Sequence, residues 1–206
     1  MPAFAFVFPG QGSQSVGMLD AWGDHLAVRQ TLEEASVALG EDVARLIHEG
    51  PKEQLDLTTN TQPVMLTAAI ACYRAWRAEG GAEPAAVAGH SLGEYSALVA
   101  AGSLTLADAL PLVRFRAQAM QQAVPVGVGA MAAILGLEAL QVREGCAAAA
   151  AATGEAVEPA NFNDPKQTVI AGTKAGVDKA CELLKAAGAK RALLLPVSAP
   201  FHSSLM

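Results

Sequence analysis

The 206-residue sequence lacks the features that mark several common classes of protein. No stretch approaches the ~20 apolar residues that a membrane-spanning helix needs, and the apolar run 4–8 is too short for a secretory signal. Lysine and arginine number 14 against 20 aspartates and glutamates, a net charge of −6, which disfavours nucleic acid as a partner. These absences predict a cytoplasmic protein with neither a membrane nor a nucleic-acid partner.

Cysteine is scarce, and no metal or nucleotide motif is present. Cys72, Cys146 and Cys181 form an odd set without C-x-x-C spacing, which argues against a disulfide framework or a structural zinc site and fits a reducing compartment. No His, Cys and Asp cluster has metal-ligand spacing. The phosphate-binding pattern G-x-x-x-x-G-K-[ST] is absent as well. We therefore expect no metal and no cofactor.

The first part of the chain alternates strand and helix patterns. Apolar segments 4–8 and 86–89 predict buried strands. Helical spacing covers five segments: 28–39, 41–49, 64–79, 92–101 and 105–124. Strands separated by helices predict a parallel, doubly wound α/β sheet.

A different order of strands and helices begins after a boundary at residues 125–129. Strand-like segments at 131–135, 157–161, 167–171 and 192–196 alternate with helices at 138–152 and 173–187. The order βαββαβ is that of a ferredoxin-like domain. We expect residues 125–198 to form a small domain inserted into a core made of residues 1–124 and 199–206. Because residues 202–206 look like a helix start that is cut off, we also expect a C-terminally truncated chain.

A candidate nucleophile lies in Gly89-His90-Ser91-Leu92-Gly93, a G-x-S-x-G pattern. The pattern alone is weak, but a strand before it and a helix after it are the context in which such a serine is exposed on a sharp turn. The Leu92 N–H would then point to a developing oxyanion at the helix N-terminus. The alternative is that Ser91 only caps the helix.

A serine nucleophile needs a base, and the chain has four histidines. His25 and His48 lie in polar helical stretches and are expected at the surface. His90 adjoins Ser91, but neighbours on a sharp turn project in different directions. His202 follows the last predicted strand, in the kind of loop where α/β active sites collect. We therefore favour His202, with an ordinary loop histidine as the alternative.

Two glutamines are polar candidates near strand and helix ends. Gln11 lies in the loop Pro9-Gly10-Gln11-Gly12-Ser13-Gln14, at the same sheet edge as Ser91 if the strands are parallel. Its amide could provide a second oxyanion donor, or it could simply bond its own backbone. Gln62 precedes the predicted helix 64–79 and is a weaker candidate, with a capping role as the alternative.

Arg116 is the best indication of the substrate. The helix 105–124 has an apolar stripe, and Arg116 lies on it whereas Arg114 does not. An unpaired buried arginine is strongly unfavourable, so Arg116 needs an anion. That anion is either a substrate carboxylate, bound bidentately, or an internal Asp or Glu. Met120 on the same stripe and Met131 are core residues by default.

Six short strings, which span the chain in order, together carry a family resemblance. The sequence resembles the malonyl-CoA:acyl-carrier-protein transacylases of bacterial fatty-acid synthesis. The strings are Phe8-Pro9-Gly10-Gln11-Gly12-Ser13-Gln14, Thr61-Gln62-Pro63, Gly89-His90-Ser91-Leu92-Gly93-Glu94-Tyr95-Ser96-Ala97, Gly129-Ala130-Met131-Ala132, Asn161-Phe162-Asn163 and Pro200-Phe201-His202.

The resemblance implies a fold, an activity and a set of site residues. The fold is an α/β-hydrolase-like core with a parallel sheet and an inserted ferredoxin-like domain. Ser91 would be the acylated nucleophile, His202 its base, Gln11 and Leu92 the oxyanion hole, and Arg116 the ligand of the malonyl carboxylate. The substrate pocket would include Gln62, His90, Met120, Met131, Asn161 and Phe201.

The same resemblance implies malonyl-CoA as a substrate and acyl carrier protein as a partner. Two alternatives stay open at this point. A serine esterase or thioesterase would share Ser91 and His202 but would have no use for an inward arginine. A fragment that only binds a carrier protein would need no chemistry at Ser91.

Overall fold

The computed structural model describes residues 3–125, 127–195, 197 and 199–206. The chain divides into two compact units, Met1–Gln118 and Ala119–Met206. The domain limits inferred from sequence, residues 125–198 against the remainder, stay a prediction. The expected end of the last strand at Pro196 lies outside the described residues.

The first unit contains two strands and a set of helices. The strands β1 (Ala5–Phe8) and β2 (Ala86–Gly89) pair in parallel, with Phe8 opposite Gly89. Because parallel strands end at the same edge, the loops after Phe8 and Gly89 start side by side. The helices are α1 (Leu26–Leu39), α2 (Val43–Glu49), α3 (Lys52–Leu55), α4 (Thr58–Ala78), α5 (Gly93–Ala100) and α6 (Leu106–Ala123), with a short 3-10 helix at Asp20–Trp22; α6 ends in the second unit.

Local capping chemistry explains several of the helix boundaries. Gly40 ends α1 in the left-handed conformation, with φ of 65°. Thr105 precedes α6, and its hydroxyl oxygen accepts the Asp108 N–H over 3.1 Å. The Asp108 carboxylate accepts from the same hydroxyl over 2.6 Å rather than from a backbone N–H, so Thr105 and Asp108 form only one half of a capping box.

The predicted start of α4 is wrong. The sequence predicts a helix at 64–79, after Pro63, whereas α4 begins at Thr58 and contains Pro63. In the second turn proline costs the one bond that its N–H would make to the Thr59 carbonyl, and burial of the residues around it offsets that loss. The Thr61 hydroxyl also donates to the Leu55 carbonyl over 2.6 Å and supports the first turn. Gln62 therefore lies within the helix, and it is 1% exposed.

The second unit has the ferredoxin-like order that the sequence predicted. Its elements are β3 (Gly129–Leu135), α7 (Ala139–Thr153), β4 (Val157–Asp164), β5 (Gln167–Thr173), α8 (Lys174–Ala186) and β6 (Arg191–Leu194). The strand order in the sheet is β4-β5-β3-β6, and each neighbouring pair is antiparallel. The Thr173 hydroxyl caps α8 by accepting the Gly176 N–H over 3.1 Å.

The sheet of the second unit is covered on both faces. Ile134, Ile170 and Leu184 belong to the core between the sheet and its two helices. A second cluster on alternate strand positions includes Met131, Val169 and Phe201. The described residues thus form a mixed α/β fold with one parallel and one antiparallel sheet, which confirms the predicted class. Among them, no helix has the length and apolar character to cross a membrane.

Two glycines let β1, β2 and α5 approach closely. A Cβ atom on Gly89 would lie 2.0 Å from the carbonyl carbon of Gly93. A Cβ atom on Gly93 would lie 2.2 Å from the carbonyl oxygen of Phe8. Such distances are well inside van der Waals contact, so only glycine fits at either position. The spacing G-x-S-x-G is therefore a packing requirement of the strand-to-helix turn.

This packing makes a prediction for Gly93→Ala. The added methyl group must displace backbone atoms of β1, so we expect the free energy of unfolding to fall by about 3 kcal/mol or more. Gly102→Ala is the matched control, because Gly102 has φ of +72° but open space around its Cβ position. It should lose only about 1 kcal/mol from left-handed strain. Urea denaturation measures both, and equal losses would contradict the packing argument.

Candidate active site

Ser91 lies on the sharp turn between β2 and α5 and has a strained backbone. Its φ is 53°, in the left-handed region that non-glycine residues rarely adopt. The turn is fixed on both sides, since His90 N–H donates to the Phe8 carbonyl over 3.0 Å and Gly93 N–H donates to the His90 carbonyl over 2.9 Å. This is the strand-turn-helix geometry expected of a serine nucleophile.

The backbone of Leu92 follows directly at the N-terminus of α5. Its side chain is 1% exposed and belongs to the core of the first unit, which fixes the position of its N–H. The donors that close the turn are those of Gly93, Glu94 and Tyr95, and the Leu92 N–H is not among them. An N–H at this position, helped by the helix dipole, is suited to stabilise a negative oxygen beside Ser91.

Arg116 is half-buried beside Ser91, as its place on the apolar stripe of α6 predicted. Its Nη2 donates to Ser91 Oγ over 3.3 Å, and its Nη1 donates to Gln62 Oε1 over 2.7 Å. The guanidinium carbon also lies 5.8 Å from the centre of the Tyr95 ring, within the range of a cation–π interaction. Three uncharged groups thus surround the cation.

No described carboxylate lies within salt-bridge distance of Arg116, so the internal ion pair considered from sequence does not form among those residues. Arg114 provides a contrast, because its Nη2 lies 2.6 Å from Glu41 Oε2. Burial lowers the pKa of the Arg116 guanidinium from its usual value, although Tyr95 and Glu94 act in the opposite direction. Arg116 remains a cation at neutral pH and is suited to bind an external anion.

The loop after β1 brings Gln11 to the same edge of the sheet. Its side-chain Nε2 donates to the Thr58 hydroxyl oxygen over 3.2 Å, at the start of α4. Close contact with the second loop is evident at Gly10, where a Cβ would lie 2.8 Å from the His90 carbonyl oxygen. Within the described chain, no acceptor takes the backbone N–H of Gln11. Gln11 thus has two kinds of N–H available to an oxyanion, one side-chain and one backbone.

His202 lies in the second unit and is exposed. Its φ is 61°, and among the described residues only Ser91 and His202 are non-glycine residues with positive φ. Backbone strain of this kind concentrates at functional sites, because surrounding structure must enforce it. The two residues that the sequence selected as nucleophile and base are therefore the two with this backbone signature.

The loop that carries His202 is held on both sides. Phe201 is buried against β3 and β5, and the Ser203 hydroxyl donates to the Pro200 carbonyl over 2.7 Å. The carboxylate of Glu158 on β4 accepts the Ser204 backbone N–H. Hydrogen bonds from the Ser204 hydroxyl and N–H hold the pKa of the Glu158 carboxyl below its usual value. These contacts fix the backbone before and after His202.

The remaining pocket candidates divide between the two units. In the first, Gln62 contacts Arg116, and the exposed His90 contacts Gly10 across the loops. In the second, Met131 is a core residue of the Phe201 cluster and Met120 packs against it, as the default interpretation expected. Asn161 is half-buried on β4, opposite Val169. Ser91 and His202 lie in different units, and their pairing stays a prediction.

Two residues that contact the candidate site, Tyr95 and Thr58, are not among those predicted from the sequence. Tyr95 follows Ser91 by four positions, one helical turn, and that spacing could have placed its ring beside the same site. Thr58 is not predicted because the pattern indicates a helix start after Pro63, with 58–62 outside the helix. The threonines and asparagine at 58–61 are the available signal for an earlier helix start.

Two further findings bear on cofactor chemistry. In the part of the chain that the structure describes, no group of three or more His, Cys, Asp or Glu side chains is arranged to hold a metal ion. All three cysteines are free thiols. Burial raises the pKa of the Cys146 thiol to about 12, with a smaller contribution from Cys181, so this buried thiol is not a nucleophile at neutral pH.

Residues 5–206 match the acyl transferase domain family. The chain is 56% identical to the malonyl CoA-acyl carrier protein transacylase of Escherichia coli K12, over 100% of this chain and 66% of that protein. The corresponding Bacillus subtilis protein is 48% identical, with 100% and 65% covered. The chain therefore spans just under two thirds of the length of these relatives.

Solved structures give the same result. The acyl-carrier-protein S-malonyltransferase of Burkholderia pseudomallei superimposes with a TM-score of 0.96 at 70% identity, over 99% of this chain and 66% of that one. A malonyl-transacylase in complex with a type II PKS acyl-carrier protein has a TM-score of 0.96 at 50% identity, over 100% and 66%. The resemblance predicted from the motifs is confirmed, and the chain belongs to the acyl transferase domain family.

Proposed function

We propose that the protein transfers a malonyl group from CoA to the phosphopantetheine thiol of acyl carrier protein, through a malonyl ester on Ser91. One observation carries the proposal. A serine on a strained strand-to-helix turn lies 3.3 Å from a half-buried guanidinium that no described carboxylate neutralises. A nucleophile beside an unneutralised cation fits an acyl donor with a free carboxylate at its far end.

In the first half-reaction Ser91 attacks the thioester carbonyl carbon of malonyl-CoA. His202 takes the hydroxyl proton, and the carbonyl oxygen becomes an oxyanion held by the Leu92 N–H and an N–H of Gln11. The carbon–sulfur bond then breaks. The CoA sulfur leaves with the proton that His202 returns, and malonyl-Ser91 remains.

The second half-reaction repeats these steps with a different thiol. The phosphopantetheine thiol of the carrier protein gives its proton to His202 and attacks the ester carbonyl of malonyl-Ser91. The same donors hold the second oxyanion. When the ester bond breaks, His202 returns the proton to Ser91 Oγ, so the free serine is restored. Both thiols belong to the substrates, and no step in this scheme uses a cofactor.

Selectivity depends on what replaces the uncharged partners of Arg116. In the structure Nη1 and Nη2 donate to Gln62 and Ser91, both neutral acceptors. A malonyl carboxylate offers two charged oxygens to the same two nitrogens. An acyl group without that carboxylate leaves the cation with neutral partners only, and this difference favours malonyl over acetyl.

The names of the relatives support the proposed substrates and partner. They are malonyl CoA-acyl carrier protein transacylases, and one solved relative is bound to an acyl-carrier protein. We propose a cytoplasmic location, where these substrates occur and where the three free thiols stay reduced. We also keep the proposal that residues 125–198 are an insert in an α/β-hydrolase-like core.

We expect intact-mass analysis after mixing with malonyl-CoA to detect a malonyl adduct, absent from Ser91→Ala. Arg116→Ala should slow formation of this adduct about 100-fold, equivalent to ~3 kcal/mol from lost charge-assisted hydrogen bonds. The rate at which acetyl-CoA labels Ser91 should fall much less in the same variant. Arg114→Ala is the matched control, since Arg114 is already paired with Glu41 and should leave the malonyl-to-acetyl ratio unchanged.

Two outcomes would contradict this proposal. Efficient hydrolysis of neutral acyl esters that survives Arg116→Ala would instead indicate a serine esterase or thioesterase. Carrier-protein binding without any label on Ser91 would indicate a binding fragment without chemistry.

The neutrality of Gln62 gives a second prediction. Gln62→Glu places a carboxylate at the position of Oε1, 2.7 Å from Arg116 Nη1, so an internal ion pair replaces the neutral contact. We expect the malonyl-to-acetyl ratio of Ser91 labelling to fall about tenfold or more, because Arg116 is then neutralised before substrate binds. Gln62→Met removes the acceptor without adding charge and should change the ratio less. Equal ratios in the two variants would refute the charge argument.

A further inference from the structure

We propose that Gln14 is a positioning residue for the oxyanion donor Gln11. Gln14 is the last residue of the loop 9–14, and its side chain connects that loop to the segment just before α4. The inference rests on the proposed function, because it assigns Gln14 a role in the acyl transfer at Ser91.

Both ends of the Gln14 amide are engaged. Oε1 accepts the Gly12 N–H over 2.8 Å, within the loop. Nε2 donates to Asp56 Oδ1 over 2.9 Å, outside it. An amide that accepts at one end and donates at the other has only one orientation that satisfies both partners. Gln14 therefore fixes the distance between the Gly12 backbone and Asp56.

Asp56 is itself held in place. It ends α3, and Lys52 one turn earlier contacts its other carboxylate oxygen. Hydrogen bonds from Lys52 and then Gln14 hold the pKa of the Asp56 carboxyl below its usual value, so it is a charged acceptor at neutral pH. Its bond to Gln14 is of the stronger, charge-assisted kind.

The loop has a second connection two residues further along the same segment. The Gln11 side chain donates to the Thr58 hydroxyl over 3.2 Å. Gln11 thus lies between two fixed points, its own bond to Thr58 and the Gly12–Gln14–Asp56 connection. Gly12 has φ of +111° and open space around it, so packing does not restrain this part of the loop and the hydrogen bonds must do so. An oxyanion donor has to be held within a fraction of an ångström to be effective.

Two substitutions that exchange the charge and the hydrogen-bond donor between Gln14 and Asp56 test the proposal. In Gln14→Glu the carboxylate still accepts the Gly12 N–H but repels Asp56, so we expect the maximal rate of Ser91 malonylation to fall about fivefold. The KM for malonyl-CoA should change little, since the oxyanion forms only in the transition state. Adding Asp56→Asn restores a donor–acceptor pair with reversed roles, and the double variant should recover most of the rate.

Asp56→Asn alone is the second arm of the cycle. It weakens the hydrogen bond between the side chains of residues 14 and 56 in the natural background, but strengthens it when combined with Gln14→Glu. The effect of Asp56→Asn on the rate of Ser91 malonylation should therefore change sign between the two backgrounds. Ser13→Ala is the control within the loop, because the Ser13 side chain is exposed and makes no hydrogen bond to the described residues. It should retain the natural rate. A loss of rate in Gln14→Glu that Asp56→Asn does not reverse would overturn the proposal, as would an unchanged rate.

Hydrogen exchange of the Gly12 amide separates this inference from the proposed function. Exchange should accelerate about fivefold in Gln14→Glu, because a side chain that is repelled from Asp56 is no longer anchored and releases the Gly12 N–H more often. It should return towards the natural rate in the double variant, whether or not Ser91 is acylated. No malonyl adduct on the natural protein would refute the proposed function while exchange still reports on the connection. An adduct together with unaltered Gly12 exchange would refute the role of Gln14.

Discussion

The site depends on the close approach of backbone atoms at the end of β2. Gly89 and Gly93 allow α5 to start against β1, and no larger residue fits at either position. This contact sets the sharp turn that forces Ser91 to φ of 53° and aligns the Leu92 N–H with the helix start. The strain at Ser91 is therefore enforced by packing around it, which is the condition under which such strain persists in a folded protein.

The second constraint is electrostatic and concerns Arg114 and Arg116, which both lie on α6. Arg114 is neutralised by Glu41, whereas the described partners of Arg116 are a glutamine, a serine and an aromatic ring. A half-buried cation without a carboxylate in salt-bridge distance is less stable than a paired one, so this arrangement is suited to an anion that arrives with the substrate. The same neutral environment that destabilises the resting protein provides the selectivity of the proposed reaction.

Most of the fold could be predicted from sequence, and the exceptions have physical reasons. Short apolar runs and helical spacing predict the strands and most helices, and the order βαββαβ predicts the second sheet. The start of α4 is wrong because Pro63 suggests a helix boundary, whereas burial of the residues around it offsets the one backbone bond that it costs. Arg116 followed from helical periodicity, but its neutral partners Gln62 and Tyr95 depend on how α4, α5 and α6 pack, which no local pattern encodes.

The two candidate loops share a design that sequence motifs alone do not reveal. Gln11 is held through Thr58 and Gln14, and the backbone around His202 is held through Phe201 and Ser204. In each case the group assigned to catalysis is fixed by neighbours that have no chemical role of their own. Because oxyanion stabilisation and proton transfer require placement to a fraction of an ångström, such neighbours contribute to the rate although they take no part in the chemistry. The motif identifies the serine, but the hydrogen bonds beside it determine how well the oxyanion of the transition state is stabilised.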